Sequence, residues 1–384
     1  MACHRTADVE IILSACRLAL GNNETVVPTI STDQWNGVIS AALDHGVIWP
    51  LEKLATRLDG LPGQLRSRIR AAAQAQTFQN LHFTDALIEI LRVFRNRGIE
   101  AAVLKGPAVS LITAGKLASR EFTDLDLLVR FEHLEIAKFA LADLGYRQIL
   151  EYKPVRRWTQ RHKHITFIHD VEEVLVELHW VLNPPDLRFA LEPTGIWNRM
   201  QTIRTHEESF WTLGLEDTLL YLCVHGARHG WESLKWVFDI AQLLQHRSMG
   251  VDWSALISRS QIAGCSRSLL IGIRLASDLF ALREPDLPGR ELTKDACARK
   301  VAERFRQSLL GNRPLSTLEI IGIQIQAHER LWDRVILACM LLIRRLRRTG
   351  ADSTTWLPLW IITRPVRLFR SYGIGWLHSA ILAR

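Results

Sequence analysis

No cysteine pair in this chain of 384 residues has C-x-x-C spacing. The six cysteines, Cys3, Cys16, Cys223, Cys265, Cys297 and Cys339, are scattered. That pattern argues against a disulfide framework or a zinc ribbon and fits reduced thiols in a cytosol. Long apolar runs are missing as well. No window reaches about 18 uninterrupted apolar residues, so no transmembrane helix is expected; the longest stretches, 335–343 and 356–362, are too short to span. The first twenty residues, MACHRTADVEIILSACRLAL, carry Asp8 and Glu10 and lack a sustained apolar core. No signal peptide is read there, and the expected location is the cytoplasm. There is no internal repeat and no low-complexity tract. The hydrophobic fraction of 48% argues against disorder, and the length suits two or three domains.

Lysine is absent from residue 333 to the end. That stretch holds nine arginines and two aspartates, so nearly all of the net charge of +8 lies there. The rest of the chain is close to neutral, which does not support nucleic-acid binding along its whole length and leaves any attraction to a polyanion or membrane local to the tail. The motif IRRLRR with Trp356, Trp360, Phe369 and Trp376 reads either as a cap on a helical domain or as a docking site for an acidic partner or membrane headgroups.

The residues that carry chemistry are concentrated in 101–130. A strand-like run, 100–104, stops at Lys105-Gly106-Pro107, a helix follows over about 107–117, and a second strand-like run at 123–129 carries Asp124 and Asp126. Residues two apart in a strand share a face, so both carboxylates point one way while Leu125, Leu127 and Val129 point the other. Side by side the acids repel unless a cation lies between them, and Mg²⁺ favours a few carboxylates plus substrate phosphates. A glycine before a helix lets backbone N–H groups approach phosphate, and Lys105 adds a point charge. Together these parts point to a metal-dependent nucleoside triphosphate site. The alternative is two solvated acids at a strand end, awkward between apolar runs. Ser110 lies in the following helix. Arg120 either neutralises phosphate or caps that helix.

Further on, VLVELHW (174–180) places Glu177 and His179 on one strand face, where Glu177 would supply a third carboxylate of a two-metal cradle. It could equally pair with an arginine of RRWTQR, and His179 could be a packed residue. In HGARHGWESLKWVFD, the residues His225, Arg228, His229, Glu232, Trp236 and Asp239 share an arc of about 100° if one helix runs through Gly230. With Lys235 this stripe reads as a cleft wall, or as a buried network locking two helices. A zinc site at His225 and His229 lacks the glutamate of HExxH.

Around these motifs the pattern is a helix over 64–98, the strand–helix–strand unit, a helix over 131–144, and strands at 146–150, 164–169 and 174–180. From about 209 onward the period is helical, over 215–228, 232–246, 253–282, 292–310 and 319–348. The expected fold is α+β: a mixed β-sheet domain with flanking helices, plus a mostly α-helical C-terminal domain. The expected boundaries are an N-terminal helical region 1–74, a catalytic domain 75–208, a helical domain 209–350 and a basic, Trp-rich tail 351–384.

The ordered set LKGPAVS…REFTDLDLLV, VELHW and HGARHGWESLKWVFDIAQLL resembles the bacterial family of uncharacterised nucleotidyltransferases, within the polymerase-beta-type nucleotidyltransferase superfamily. The resemblance covers about 75–250. It implies Asp124 and Asp126 as metal ligands, Glu177 as the third carboxylate helping to deprotonate an attacking hydroxyl, and Gly106 as the phosphate-turn glycine. Pro107 stands where the superfamily usually has a hydroxyl residue, which leaves the γ-phosphate contact to Lys105 or Ser110. The expected activity is Mg²⁺-dependent transfer of a nucleotidyl group, AMP first, from an NTP to a hydroxyl or similar acceptor with release of pyrophosphate. Two ions are implied, with Mn²⁺ as an alternative metal, and a small molecule or peptide is favoured over nucleic acid as acceptor. His179, His225, Arg228, His229, Lys235 and Asp239 are expected to line the acceptor side. The alternatives are a non-catalytic nucleotide- or partner-binding module, and a phosphotransferase.

Overall fold

The computed structural model describes residues 2–22, 30–149, 164–182, 193–205, 208–245, 250–282, 295–310 and 315–348. Met1–Glu329 form one compact unit and Arg330–Arg384 a second. The first unit opens with helices α1 (Ala2–Ala19), α2 (Thr32–Asp44) and α3 (Ile48–Ala55), then the 34-residue α4 (Gly63–Asn96). Next come β1 (Ala101–Val103), α5 (Pro107–Ala114), β2 (Leu125–Val129), α6 (Leu134–Asp143), β3 (Tyr146–Gln148), β4 (His164–His169) and β5 (Val174–His179). A short α7 (Pro193–Trp197) leads into β6 (Gln201–Arg204) and β7 (Ser209–Thr212). The chain then runs through α8 (Leu215–Arg228), α9 (Leu234–Gln245), α10 (Trp253–Ala263), α11 (Ser266–Phe280), α12 (Ala296–Leu310) and α13 (Thr317–Ala327). In the second unit the described element is α14 (Leu331–Arg348).

The seven strands form one mixed sheet in the order β3-β4-β5-β2-β1-β7-β6. The pairs β2–β5 and β1–β7 are parallel and the other neighbours antiparallel. Alternation assigns the faces. Val103, Leu125, Leu127, Val129, Val176 and Leu178 join Phe83, Leu87 and Phe94 of α4 and Ala137 and Leu141 of α6 in one core. Each fully buried Leu, Val or Phe there contributes roughly 1.5–3 kcal/mol. With that face covered, residues 124, 126, 177 and 179 point to the other. Ser31 caps α2: its side chain accepts from the Gln34 N–H, and the Gln34 side chain accepts from the Ser31 N–H. Such a reciprocal cap is worth about 1 kcal/mol.

Several boundaries differ from the sequence reading. The helical period does not begin at 209. Ser209–Thr212 is a strand whose Phe210 and Thr212 are buried, and the Thr212 hydroxyl donates to Val103 O at 2.6 Å. The hairpin β6–β7 therefore extends the sheet beyond β1. The helix read over 253–282 is two helices broken at Gly264-Cys265, and that over 319–348 is broken at 328–330. The segment KPVRRWTQRHK and the tail 349–384 lie outside the described residues. No helix among the described residues is long and apolar enough to cross a membrane.

The stripe in HGARHGWESLKWVFD is not one helix. α8 ends at Arg228, and Gly230 and Trp231 both take positive φ, +68° and +50°. The turn folds Trp231 back onto α8, with its N–H donating to Gly226 O at 2.9 Å and its ring fully buried. Only a glycine at 226 leaves room: a β-carbon there would lie 2.5 Å from Trp231 Cε3 and 2.6 Å from Cη2. Gly226→Ala is therefore expected to lower stability by roughly 1–3 kcal/mol through overpacking, read as an earlier midpoint in urea unfolding. An unchanged midpoint would refute this packing.

Candidate active site

β1 delivers the turn. Leu104 N–H donates to Asp126 O at 3.0 Å, holding the end of β1 against the start of β2. Gly106 then adopts φ +52°, ψ −117° as the N-cap of α5, with Pro107 at the first helical position. Space is not the constraint at Gly106, since a β-carbon would meet Phe122 at an ordinary 3.4 Å. The backbone angles are, and side chains avoid them. The loop leading to Asp124 is tied to α4: Asn80 Nδ2 donates to Leu117 O and Arg120 O at 2.6 and 2.8 Å.

Strand register brings the acids together. Asp126 on β2 stands directly beside Glu177 on parallel β5, and Leu128 beside His179. Carboxylate oxygens of Asp124, Asp126 and Glu177 all lie within 4.8 Å of one another. Lys105 Nζ is 3.0 Å from Asp126 Oδ2, with both side chains buried. His179 Nε2 is 3.0 Å from Asp126 Oδ1 and 3.2 Å from Glu177 Oε2. On the next strand, His164 pairs in register with His179, and its Nδ1 is 3.4 Å from Glu177 Oε2.

Burial and the negative charge of Asp126 push the Asp124 carboxyl above its ordinary range, against the pull of Lys105. Burial alone would lower the Lys105 ammonium, but the surrounding anions, Asp126 foremost, together outweigh it and hold the charge in place. Burial also works against the Glu177 carboxylate, yet its hydrogen bond and charge interaction with His179 keep its pKa low. Three carboxylates converge in a poorly solvated place, where Lys105 is, among the described residues, the one ammonium in direct contact with an aspartate. That hard oxygen donor set fits a divalent cation such as Mg²⁺.

α8 brings further groups within electrostatic reach of the acids. Tyr221, His225 and Arg228, spaced i, i+4, i+7, share one side of the helix. Burial pushes the Tyr221 hydroxyl up and the His225 imidazole well down, and both also feel Lys105 and Asp126. Arg228 feels Asp126 and Glu177. Beyond the break, His229 and Trp236 pack against His225, with ring centroids 4.6 Å (His225–His229) and 5.4 Å (His225–Trp236) apart.

Other residues singled out from the sequence lie elsewhere. Ser110 is fully buried; its hydroxyl donates to Lys116 O at 2.8 Å and meets Ser119 Oγ at 2.8 Å, so it fastens the end of α5 and faces no phosphate. Arg120 Nε donates to both oxygens of Asp239, at 3.0 and 2.8 Å. This buried pair joins the Asp124 loop to α9, and the Arg120 guanidinium also feels the charges of Asp124 and Asp126. Lys235 pairs with Glu121 at 3.2 Å. The α8–α9 break places Lys235 and Asp239 on a different helix from His225 and Arg228. Tyr221 and His164 were missed. Both were legible: Tyr221 lies one turn before His225, and the Asp170–Glu173 turn puts 164 opposite 179.

Arg120→Ala strands the buried Asp239 and is expected to cost about 3–5 kcal/mol. The double variant Arg120→Met, Asp239→Leu should recover most of that loss in chemical denaturation. A double variant no more stable than Arg120→Ala would refute the buried pairing.

No curated protein matches the chain. Among solved structures, the lincomycin-bound crystal structure of the lincosamide antibiotic adenylyltransferase LnuA matches at 19% identity and a TM-score of 0.30, over 41% of this chain and 94% of that one. An antigenic nucleotidyltransferase-like protein from Paracoccidioides brasiliensis matches at 15% identity and a TM-score of 0.32, over 62% of this chain and 95% of that one. The model of the family described as "Uncharacterised nucleotidyltransferase" matches residues 31–281, from the Ser31 cap of α2 to the end of α11. That span is wider than the 75–250 of the motif resemblance and well over half of the chain, which belongs to this family of uncharacterised nucleotidyltransferases.

Proposed function

We propose that the chain transfers a nucleotidyl group, AMP in the first instance, from an NTP to a hydroxyl or similar acceptor of a small molecule or peptide, releasing pyrophosphate with Mg²⁺ bound at the acids. The observation that carries this reading is the convergence of Asp124, Asp126 and Glu177 within 4.8 Å on one face of the sheet. Asp124 and Asp126 are the residues that would hold the metal, with Glu177 as the third ligand. Bound there, Mg²⁺ supplies charge neutralisation for the triphosphate and Lewis acidity at the reacting phosphorus.

The protein's own groups divide the remaining tasks. The Gly106 turn lets backbone approach the phosphates, and Lys105, charged and buried, contributes positive charge at the same edge. Glu177 orients the acceptor hydroxyl and takes its proton as the oxygen attacks the α-phosphorus. Arg228 adds positive charge from the opposite wall. The Tyr221 hydroxyl, buried with no hydrogen-bond partner among the described residues, is a donor for the nucleotide or acceptor. Neutral His225, with His229 and Trp236, forms an aromatic surface beside it.

One observation favours a second reading, a nucleotide-binding module without turnover. Pro107 removes a backbone N–H from the phosphate turn, and Ser110 is sequestered, so the triphosphate grip is thinner than three donors would give. Product analysis separates the readings. With Mg²⁺ and α- or γ-³²P-labelled NTPs over a panel of self, antibiotics, sugars, tRNA and peptides, the expected result is α-label on an acceptor. Asp124→Asn should reduce it to background; it is a cleaner variant than Asp126→Asn, which also strips Lys105 of its counter-ion. Transfer of γ-label would make the protein a phosphotransferase, and Mg-NTP binding with no product across the panel would favour the binding module.

A further inference from the structure

Glu177 belongs to two groups of donors. One is the acidic set with Asp124 and Asp126; the other is His164, Glu177 and His179, whose ligand atoms also lie within 4.8 Å of one another. We propose that His164, Glu177 and His179 form a second cation site, selective for divalent metals that favour imidazole, such as Mn²⁺, Co²⁺ or Zn²⁺, beside the oxygen-only site that suits Mg²⁺. The inference rests on this donor geometry and holds whether or not the chain transfers nucleotides.

The distances carry it. The two imidazole nitrogens, His179 Nε2 and His164 Nδ1, lie 3.2 and 3.4 Å from the same oxygen, Glu177 Oε2. Ligands about 2.0–2.1 Å from a tetrahedral metal stand about 3.3–3.4 Å from each other, so these atoms already have the spacing of neighbouring corners. The rings are 4.9 Å apart between centroids, and their strands are locked by a six-residue antiparallel register, so convergence needs no backbone movement. His179 is wholly buried. Its Nε2 faces the Asp126 and Glu177 carboxylates, so a metal bound there takes the place of a proton. His164 and Glu177 are each about a quarter exposed, which leaves a path for an ion and an open coordination position. Two imidazoles and one carboxylate favour later first-row metals, whereas Mg²⁺ keeps to oxygen ligands.

The test uses Co²⁺ alone as probe, titrated into the full-length protein in excess Mg²⁺ and followed by visible d–d absorption. The expected result is one equivalent bound with the spectrum of an imidazole-containing site, unchanged in Asp124→Asn and weakened at least about tenfold in His164→Gln. Unaltered Co²⁺ binding in a folded His164→Gln, or displacement of Co²⁺ by Mg²⁺, would overturn the proposal. Should His164→Gln fail to fold, pulsed EPR of the Mn²⁺-loaded wild-type protein decides. Two imidazole nitrogen couplings support the site, and their absence overturns it.

Discussion

Repulsion among three carboxylates is the constraint around which this sheet is arranged. Two like charges 4.8 Å apart cost about 3–4 kcal/mol at an effective dielectric constant of 20, and burying them adds desolvation. Such a group persists only where cations answer it. Lys105 answers Asp126 directly, with His179 at the other oxygen of the same carboxylate. Asp124, whose carboxyl is pushed upward by burial and by Asp126, has no comparably close cation among the described residues, and the proposed function puts the divalent ion beside it.

The rest of the fold keeps those charges from separating. The parallel β2–β5 register fixes Asp126 beside Glu177, and a one-residue slip would turn both into the hydrophobic core. α4 seals that core and, through Asn80, grips the loop before Asp124. The Arg120–Asp239 pair then couples the same loop to α9, while Trp231, seated on Gly226, fixes the break between α8 and α9. The break sets which residues look at the acids: Tyr221, His225 and Arg228 from α8, with His229 and Trp236 stacked behind.

Much of the centre was legible because strand periodicity is short and strict. Alternation alone placed Asp124 and Asp126 opposite Leu125 and Leu127, and the strands read at 164–169 and 174–180 lie at His164–His169 and Val174–His179. What sequence could not supply was long-range pairing. β7 reads as the start of a helical region until Val103 is seen to accept its Thr212 hydroxyl. Arg120 and Asp239 are far apart in the chain, so nothing local shows that the guanidinium pairs with that carboxylate. Ser110 has the right chemistry for phosphate and the wrong direction, because its hydroxyl turns inward to Lys116 and Ser119. The helical arc through Gly230 failed for a backbone reason, two successive residues at positive φ.

The central claim is that the acids at 124, 126 and 177 are a cation site that receives a triphosphate. Anomalous diffraction from crystals grown with Mn²⁺ and a non-hydrolysable ATP analogue tests it most directly. The account predicts an anomalous peak in contact with the Asp124 and Asp126 carboxylates, with the triphosphate reaching the Lys105-Gly106 turn. A structure in which Lys105 keeps its place on Asp126, no peak touches either aspartate and the nucleotide lies elsewhere would contradict it.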